Sequence, residues 1–210
     1  MRWEQLTSSF MPDSQRRTEV LHKLMAAYQA PERHYHTLAH IGALLNRAEQ
    51  VQLLDPDVVK LAIWFHDAVY NALKSDNEAR SAAWALDFLT YSTLEPSRCR
   101  RVAYLIERTH DHTQAQPPDD ADLLFFLDAD LSILGAPEPD YWEYARQVRR
   151  EYRVVPDVLY RPGRCKVLEK MLATPKLFRT AEMHEKLEAS ARRNLQAELQ
   201  AWKGTGLPQG

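Results

Sequence analysis

Apolar residues recur at intervals of three and four positions along most of the 210-residue chain, the spacing that collects them on one face of an α-helix. No stretch alternates apolar and polar residues over the length of a strand, and no Asn-Gly or Asp-Gly dipeptide marks a tight hairpin. The pattern therefore predicts an all-α helical bundle of about seven to nine helices. The predicted helices cover residues 14–29, 37–53, 56–70, 76–91, 96–109, 120–134, 138–152, 156–173 and 181–202.

Several predicted helices begin with residues that favour a first turn. Proline follows Asp55 and Glu95, and the first helical position tolerates proline because the N–H that it lacks has no partner there. Ser75 and Glu78 have the spacing of a capping box. The polar segment 112–120 predicts a loop, and apolar helices continue on both sides of it. We therefore expect a single domain over residues 1–203 and a frayed tail over 204–210.

Composition narrows the class of protein. The chain has 27 Lys and Arg against 29 Asp and Glu, and this balance does not favour nucleic acid or an anionic membrane as a partner. The longest apolar runs, LAIWF and LLFFL, are far shorter than the roughly 20 residues of a membrane span. The two cysteines have no metal-binding spacing, and the N-terminus lacks a signal-peptide pattern. These features predict a cytoplasmic protein without a membrane anchor.

Histidines gather where one predicted helix begins. Residues 34–40 read HYHTLAH and contain three of the eight histidines of the chain. On a helix that starts near Thr37, His36 and His40 share a face because they are four residues apart. His40 then stacks on Leu44 of the buried stripe, so its imidazole is predicted to point inward.

Acidic residues also fall on predicted apolar faces. In the helix of residues 56–70, His66 shares the face of Ile63, and Asp67 lies at the edge of that face. Asp130 lies between the apolar residues of the helix 120–134. Asp128 also has apolar neighbours, and periodicity alone does not separate it from Asp130.

A buried, unpaired carboxylate costs several kcal/mol, so repeated burial requires a compensating charge. No Lys or Arg shares these stripes, whereas imidazoles and carboxylates are ordinary ligands of divalent cations. We therefore predict a metal site built from separate helices. Ordinary hydrogen-bonded core histidines are the alternative, and His22 and His184 are interpreted in that way.

The order His40, then His66-Asp67, then Asp130 resembles the HD superfamily of metal-dependent phosphohydrolases, whose ligands follow the pattern H…HD…D on an all-α fold. The resemblance covers about residues 34–135, the expected metal-site core of an HD-type domain. Members commonly carry the last ligand in an Ala-Asp dipeptide, which favours Asp130 over Asp128. A broader likeness, from RHYHTLAHI to RRNLQAEL, links the chain to a bacterial group of predicted HD phosphohydrolases without a known substrate.

The segment YHTLAH also resembles the YHNxxH segment of cyclic-nucleotide phosphodiesterases, in which the second histidine binds metal and the first is the general acid. This likeness implies that His40 is a ligand and His36 the proton donor. After the HD pair the chain reads AVYN, so it lacks the Glu-Asp of guanosine tetraphosphate hydrolases and the GYP signature of cyclic di-GMP enzymes.

The resemblance implies hydrolysis of a phosphate ester, either a monoester or a diester and expected to be a small nucleotide, by a metal-activated water. His36 and Asp67 are the expected catalytic residues. Mn, Mg, Fe, Co and Zn all suit the mixed ligand set. A second ion or an outer set of contacts is expected to involve residues with further acidic or imidazole groups: His110, Glu78, Asp76 and Asp128. Arg161 and Arg164 are candidate phosphate-binding residues, because guanidinium matches phosphate bidentately.

Three other interpretations stay open. A di-iron oxygenase of the HD type would use His110 and His112 to hold its second iron. A non-catalytic module would use a closed metal shell to staple the bundle while binding a nucleotide. The helix 181–202 has apolar residues at near-heptad spacing, so it packs either within the chain or in a homo-oligomer.

Overall fold

The computed structural model describes residues 2–204 and 207, and it confirms the all-α prediction. The described residues contain ten α-helices and no strand. The helices are α1 Arg2–Thr7, α2 Ser14–Tyr28, α3 Leu38–Ala48, α4 Pro56–Phe65, α5 Asn77–Leu89, α6 Pro96–Arg108, α7 Ala121–Asp130, α8 Glu138–Glu151, α9 Asp157–Ala173 and α10 Ala181–Lys203. A short 3₁₀ helix, Leu131–Gly135, follows α7. None of the described helices combines the length and the apolar composition needed to cross a membrane.

The chain forms two compact units that divide between Asp111 and His112. The first unit contains α1 to α6, and the second contains α7 to α10. Of the predicted tail 204–210, Gly204 and Leu207 are described, and the other residues lie outside the described part of the chain. Leu207 packs in part against the core of the second unit.

The core of the first unit is built around α4. Val59, Leu61, Ala62, Ile63 and Phe65 of this helix are fully buried, because it contacts α1, α3, α5 and α6. A helix with so many buried apolar positions lies inside its domain, and only Asp57 and Lys60 give it a partly exposed polar edge. The short α1, which periodicity does not predict, docks here through one aromatic side chain. The Trp3 ring lies 5.2 to 6.0 Å from the rings of Trp64, Phe65 and Phe88.

Two helices of the first unit end five residues earlier than the sequence predicts. The helix predicted over 37–53 ends at Ala48, and Leu54 beyond it is exposed. The helix predicted over 56–70 ends at Phe65, and the residues after it form a turn. In this turn the N–H of Val69 donates to the hydroxyl of Ser81 on α5 instead of continuing the helix. His66 and Asp67 therefore lie at the end of a buried helix, with the backbone free to turn.

The capping box predicted at Ser75 and Glu78 does not form. Asp76 precedes the first helical residue of α5 and makes no side-chain capping bond. The Asn77 side chain bonds the backbone of Asn71 and Lys74, which holds the preceding loop. The carboxylate of Glu78 faces His110 instead of the helix start. By contrast, Asp55 accepts from the N–H of Val58 at the start of α4, as the proline signal suggests.

The core of the second unit surrounds a buried charge pair. Arg164 of α9 donates two hydrogen bonds to Glu198 of α10, at 2.7 and 2.8 Å. Tyr141 and Trp202 donate to the same carboxylate at 2.6 and 3.0 Å. Burial by itself raises the pKa of Glu198, but the charge of Arg164 and these hydrogen bonds outweigh it and hold the pKa below its usual range. Glu198 is therefore an ionised, fully satisfied group in an apolar core.

We expect Arg164→Met to lower the free energy of unfolding by about 3–5 kcal/mol, because it leaves the Glu198 carboxylate buried without its counter-charge. Arg150 is the matched control, since it pairs with Glu143 at the surface, where such pairs contribute at most about 1 kcal/mol. Urea unfolding followed by circular dichroism compares Arg164→Met with Arg150→Met. Equal losses from the two variants would contradict a structural role for the buried pair.

Candidate metal centre

The side chains of His40, His66 and Asp67 converge inside the first unit. Nε2 of His40 lies 3.3 Å from Nε2 of His66. Oδ2 of Asp67 lies 3.0 Å from Nε2 of His66 and 3.8 Å from Nε2 of His40. Both histidines are buried, and the Asp67 side chain is 18 % exposed. Among the described residues, no other group of three or more His, Cys, Asp or Glu side chains brings its ligand atoms so close together.

The backbone determines which nitrogen of His66 faces this group. Its Nδ1 lies 2.9 Å from the carbonyl oxygen of Ile63, one turn earlier on α4. A carbonyl oxygen only accepts hydrogen bonds, so Nδ1 carries the proton and donates it. In a neutral ring, Nε2 then presents a lone pair to Asp67 and His40. A carbonyl partner of this kind is the usual support of a metal-binding histidine.

Two lone pairs at a distance of 3.0 Å repel each other unless a positive charge separates or accompanies them. A second proton on His66 would convert its contact with Asp67 into an ordinary ion pair. A cation would satisfy the His40 contact as well. Metal-ligand bonds of about 2.1 Å place neighbouring ligands about 3.0 Å apart in an octahedron and about 3.4 Å apart in a tetrahedron. The separations of 3.0 and 3.3 Å fall in this range, and the His40–Asp67 separation of 3.8 Å is longer, so two of the three pairs have the spacing of ligands around a small divalent cation.

His36 lies beside His40 of this group, but it is not part of a helix. The helix α3 begins at Leu38 with Thr37 as its cap, so His36 lies in the preceding bend. The expectation that His36 and His40 share a helical face is therefore wrong, although their rings are only 6.1 Å apart. The His36 ring stacks on Tyr70 at 4.5 Å and meets the Tyr35 ring edge to face at 5.0 Å. These two aromatic rings restrict the orientation of the imidazole.

Arg33 is the residue that sequence reasoning overlooked. Its buried guanidinium donates to the carbonyl oxygens of His36, Asp67 and Ala68 at 3.1, 2.6 and 3.0 Å. It also lies 5.0 and 5.4 Å from the ring centroids of Tyr28 and Tyr70. One side chain thus joins the histidine-rich bend to the turn that carries Asp67. The signal in the sequence is an arginine next to HYH, but only the fold reveals its partners.

Asp130, the fourth predicted ligand, belongs to the second unit and lies at the end of α7. Its Oδ2 is 3.0 Å from Nε2 of His112, and both side chains are mostly buried. His112 therefore contacts Asp130, a predicted ligand, and His110 pairs with Glu78 instead. The sequence does not distinguish between these two histidines. The role of Asp130 as a ligand stays a prediction.

Asp128 has a different environment in the same unit. Its two carboxylate oxygens accept from the backbone N–H groups of Arg179 and Thr180 and from the Thr180 hydroxyl, at 2.7 to 2.9 Å. Burial raises the pKa of Asp128, and these donors lower it only in part. Asp128 therefore accepts hydrogen bonds from the backbone amides that precede α10. Its surroundings thus distinguish it from Asp130, which the spacing of apolar residues does not.

The remaining predicted residues lie outside the convergent group. Glu78 and His110 form a pair, with Oε2 and Nδ1 3.1 Å apart and most of the imidazole exposed. Asp76 is exposed before α5, and His22 is exposed and not a core histidine. Arg164 serves the buried pair with Glu198, which leaves its guanidinium unable to act as a phosphate clamp. Arg161 stays a candidate, with its Nη1 3.4 Å from the carbonyl oxygen of Gly204.

Comparison with protein-family models, with curated protein sequences and with solved structures gives no significant match. The assignment of a function therefore depends on the residues and geometry described above.

We expect Arg33→Met to destabilise the first unit by at least about 2 kcal/mol, because it leaves three carbonyl groups without their donor. The variant should also weaken binding of Mn²⁺, since the His36 and Asp67 segments lose their common anchor. Arg80, an exposed arginine of α5, provides the control variant Arg80→Met with the same charge change. Thermal unfolding and calorimetric titration with Mn²⁺ measure both effects. Wild-type metal affinity in a folded Arg33→Met protein would contradict this anchoring role.

Proposed function

We propose that the chain is a metal-dependent phosphohydrolase of the HD type that acts on a small phosphate ester, such as a nucleotide. One observation carries the proposal: His40, His66 and Asp67, three residues of the H…HD…D pattern, converge with ligand-like spacing. Two residues that are adjacent in sequence and one that lies 26 positions earlier meet at this point. The proposal is supported by the spacing of these three side chains and by their order in the sequence, because the comparisons with known proteins give no match.

The residues of the first unit suit a divalent ion. His66 would bind through Nε2, since its Nδ1 donates to Ile63. His40 and Asp67 would complete three positions, and the resemblance to the H…HD…D pattern implies Asp130 as the fourth ligand. When bound, such an ion supplies Lewis acidity that activates water and polarises a phosphoryl oxygen.

The chain itself would supply the proton for the leaving group. The His36 ring lies beside the His40 ring and is stacked on Tyr70, so its orientation is restricted. General acid catalysis by a positioned histidine typically contributes 10²- to 10⁴-fold. Asp67 retains partial exposure, so it can accept a hydrogen bond from the attacking water as well as bind the ion. The net charge of −2 favours a small ester over a long polyanion.

Replacing His36 separates catalysis from metal binding. We expect His36→Ala to lower kcat for a phosphate ester by at least about 100-fold, while the folded protein still binds Mn²⁺. His22→Ala is the control, since His22 is exposed on α2. Release of inorganic phosphate from a panel of nucleotides, in air and under nitrogen, measures the rate. Full turnover by His36→Ala would exclude it as the acid, and product formation only in air would favour the di-iron oxygenase.

Replacing Asp130 tests whether the second unit contributes a ligand. Asp130→Ala should weaken Mn²⁺ binding by about 100-fold or more, a loss larger than the 10- to 100-fold expected for residues that only support ligands. Asp119→Ala removes the charge of an exposed aspartate of the same unit and should leave the affinity unchanged. Calorimetry on metal-stripped protein gives both constants. Equal affinities for wild type and Asp130→Ala would reject the four-ligand site.

A further inference from the structure

Four clefts in the described part of the chain differ in the charge of the residues that line them. A cleft in the first unit has two basic and two acidic side chains, and a cleft beside the 3₁₀ helix has one of each. A third cleft contains Arg164, which is neutralised by Glu198. A fourth cleft, of about 510 Å³, is lined by Lys176 and Arg179 and by no acidic residue. We call this fourth one the loop cleft.

The loop cleft is formed by two segments of the second unit. One segment, residues 113–118, directly follows His112, and the other, residues 174–179, precedes α10. Arg179 links the two, because its guanidinium donates to the carbonyl oxygens of His112 and Gln114. A guanidinium held by main-chain oxygens has little freedom left to lose when a ligand binds. Leu124 and Pro118 supply apolar walls.

Lys176 supplies a second positive charge at this cleft. It is exposed, and no hydrogen bond or ion pair joins its ammonium group to another described residue. Asp119 and Asp120, which directly follow the first segment, do not line the cleft. Asp120 instead accepts from the N–H of Leu123 at the start of α7. A local excess of positive charge therefore stands out in a chain whose net charge is −2.

We propose that the loop cleft binds an anionic group of a small molecule, with Lys176 and Arg179 as its charged contacts. A cleft of this volume lies within the size range of small-molecule sites. Its first segment is covalently continuous with His112, whose ring contacts Asp130 at 3.0 Å. The next step rests on the proposed function. If the chain is a phosphohydrolase, the loop cleft binds a phosphoryl group of the substrate that does not itself react. The substrate class is then a small molecule with at least two phosphoryl groups.

Binding of inorganic pyrophosphate to the full chain, measured by calorimetry in the presence of a chelator, tests the cleft without any metal or turnover. We expect Lys176→Gln to weaken binding about tenfold, the effect of one charge-assisted hydrogen bond, and Lys176→Glu to weaken it further. Lys166→Gln is the matched control, because Lys166 is an exposed lysine of the same unit away from every cleft described above. No binding by the wild type, or equal losses from Lys176→Gln and Lys166→Gln, would overturn the inference.

Kinetics distinguish this inference from the proposed function. In an active enzyme, Lys176→Gln should raise KM for a substrate with two phosphoryl groups about tenfold at unchanged kcat. KM for a monophosphate should not change. An inactive chain whose pyrophosphate binding depends on Lys176 would reject the hydrolase and retain the cleft. An active enzyme whose KM values do not respond to Lys176 would reject the cleft as a substrate site.

Discussion

Two imidazoles and a carboxylate that meet in a mostly buried space need a proton or a cation between their lone pairs. In this protein the need is sharpened because Nδ1 of His66 donates its hydrogen bond to the Ile63 carbonyl oxygen, which leaves a lone pair on Nε2. The rest of the first unit can be understood from this constraint. The buried helix α4 ends one residue before His66, so that the chain can turn and bring Asp67 to the same point. The contact with Asp67 is as short as that between neighbouring ligands of one ion.

Arg33 shows how the backbone around this point is held. The carbonyl groups of His36, Asp67 and Ala68 would face an apolar interior without a donor, and one guanidinium satisfies all three. A planar group with five N–H donors can do this where an ammonium group of the same charge cannot match the directions. The same residue therefore connects the bend that carries His36 with the turn that carries Asp67. Positioning of the proposed acid and of the proposed ligand depends on one side chain.

The charged residues of the second unit differ in their surroundings: some are buried among hydrogen-bond partners that stabilise the fold, and others line an open cleft. Glu198 and Asp128 are buried acids, and each is surrounded by donors that use its oxygens. Lys176, in contrast, is exposed at an open cleft, next to Arg179, whose guanidinium both lines the cleft and donates to main-chain carbonyl oxygens. Arg164 illustrates the distinction, since an arginine in the segment YRPGRCK has the composition of a phosphate contact and the environment of a core residue. Burial and partners, not residue type, decide between these roles.

Periodicity in the sequence was sufficient to determine the all-α class and the positions of α2 to α10, because an apolar stripe records which face of a helix is buried. It also singled out His40, His66 and Asp67, since polar residues on apolar stripes are conspicuous. Helix ends were less predictable: α4 ends at Phe65, and the N–H of Val69, which would bond the Phe65 carbonyl in a continued helix, donates to the Ser81 hydroxyl instead. The tertiary structure alone decided how His40 comes to lie beside His66, which distant carbonyl groups Arg33 binds and how the environments of Asp128 and Asp130 differ. These depend on contacts between distant segments, and the spacing of residues along the chain holds no record of such contacts.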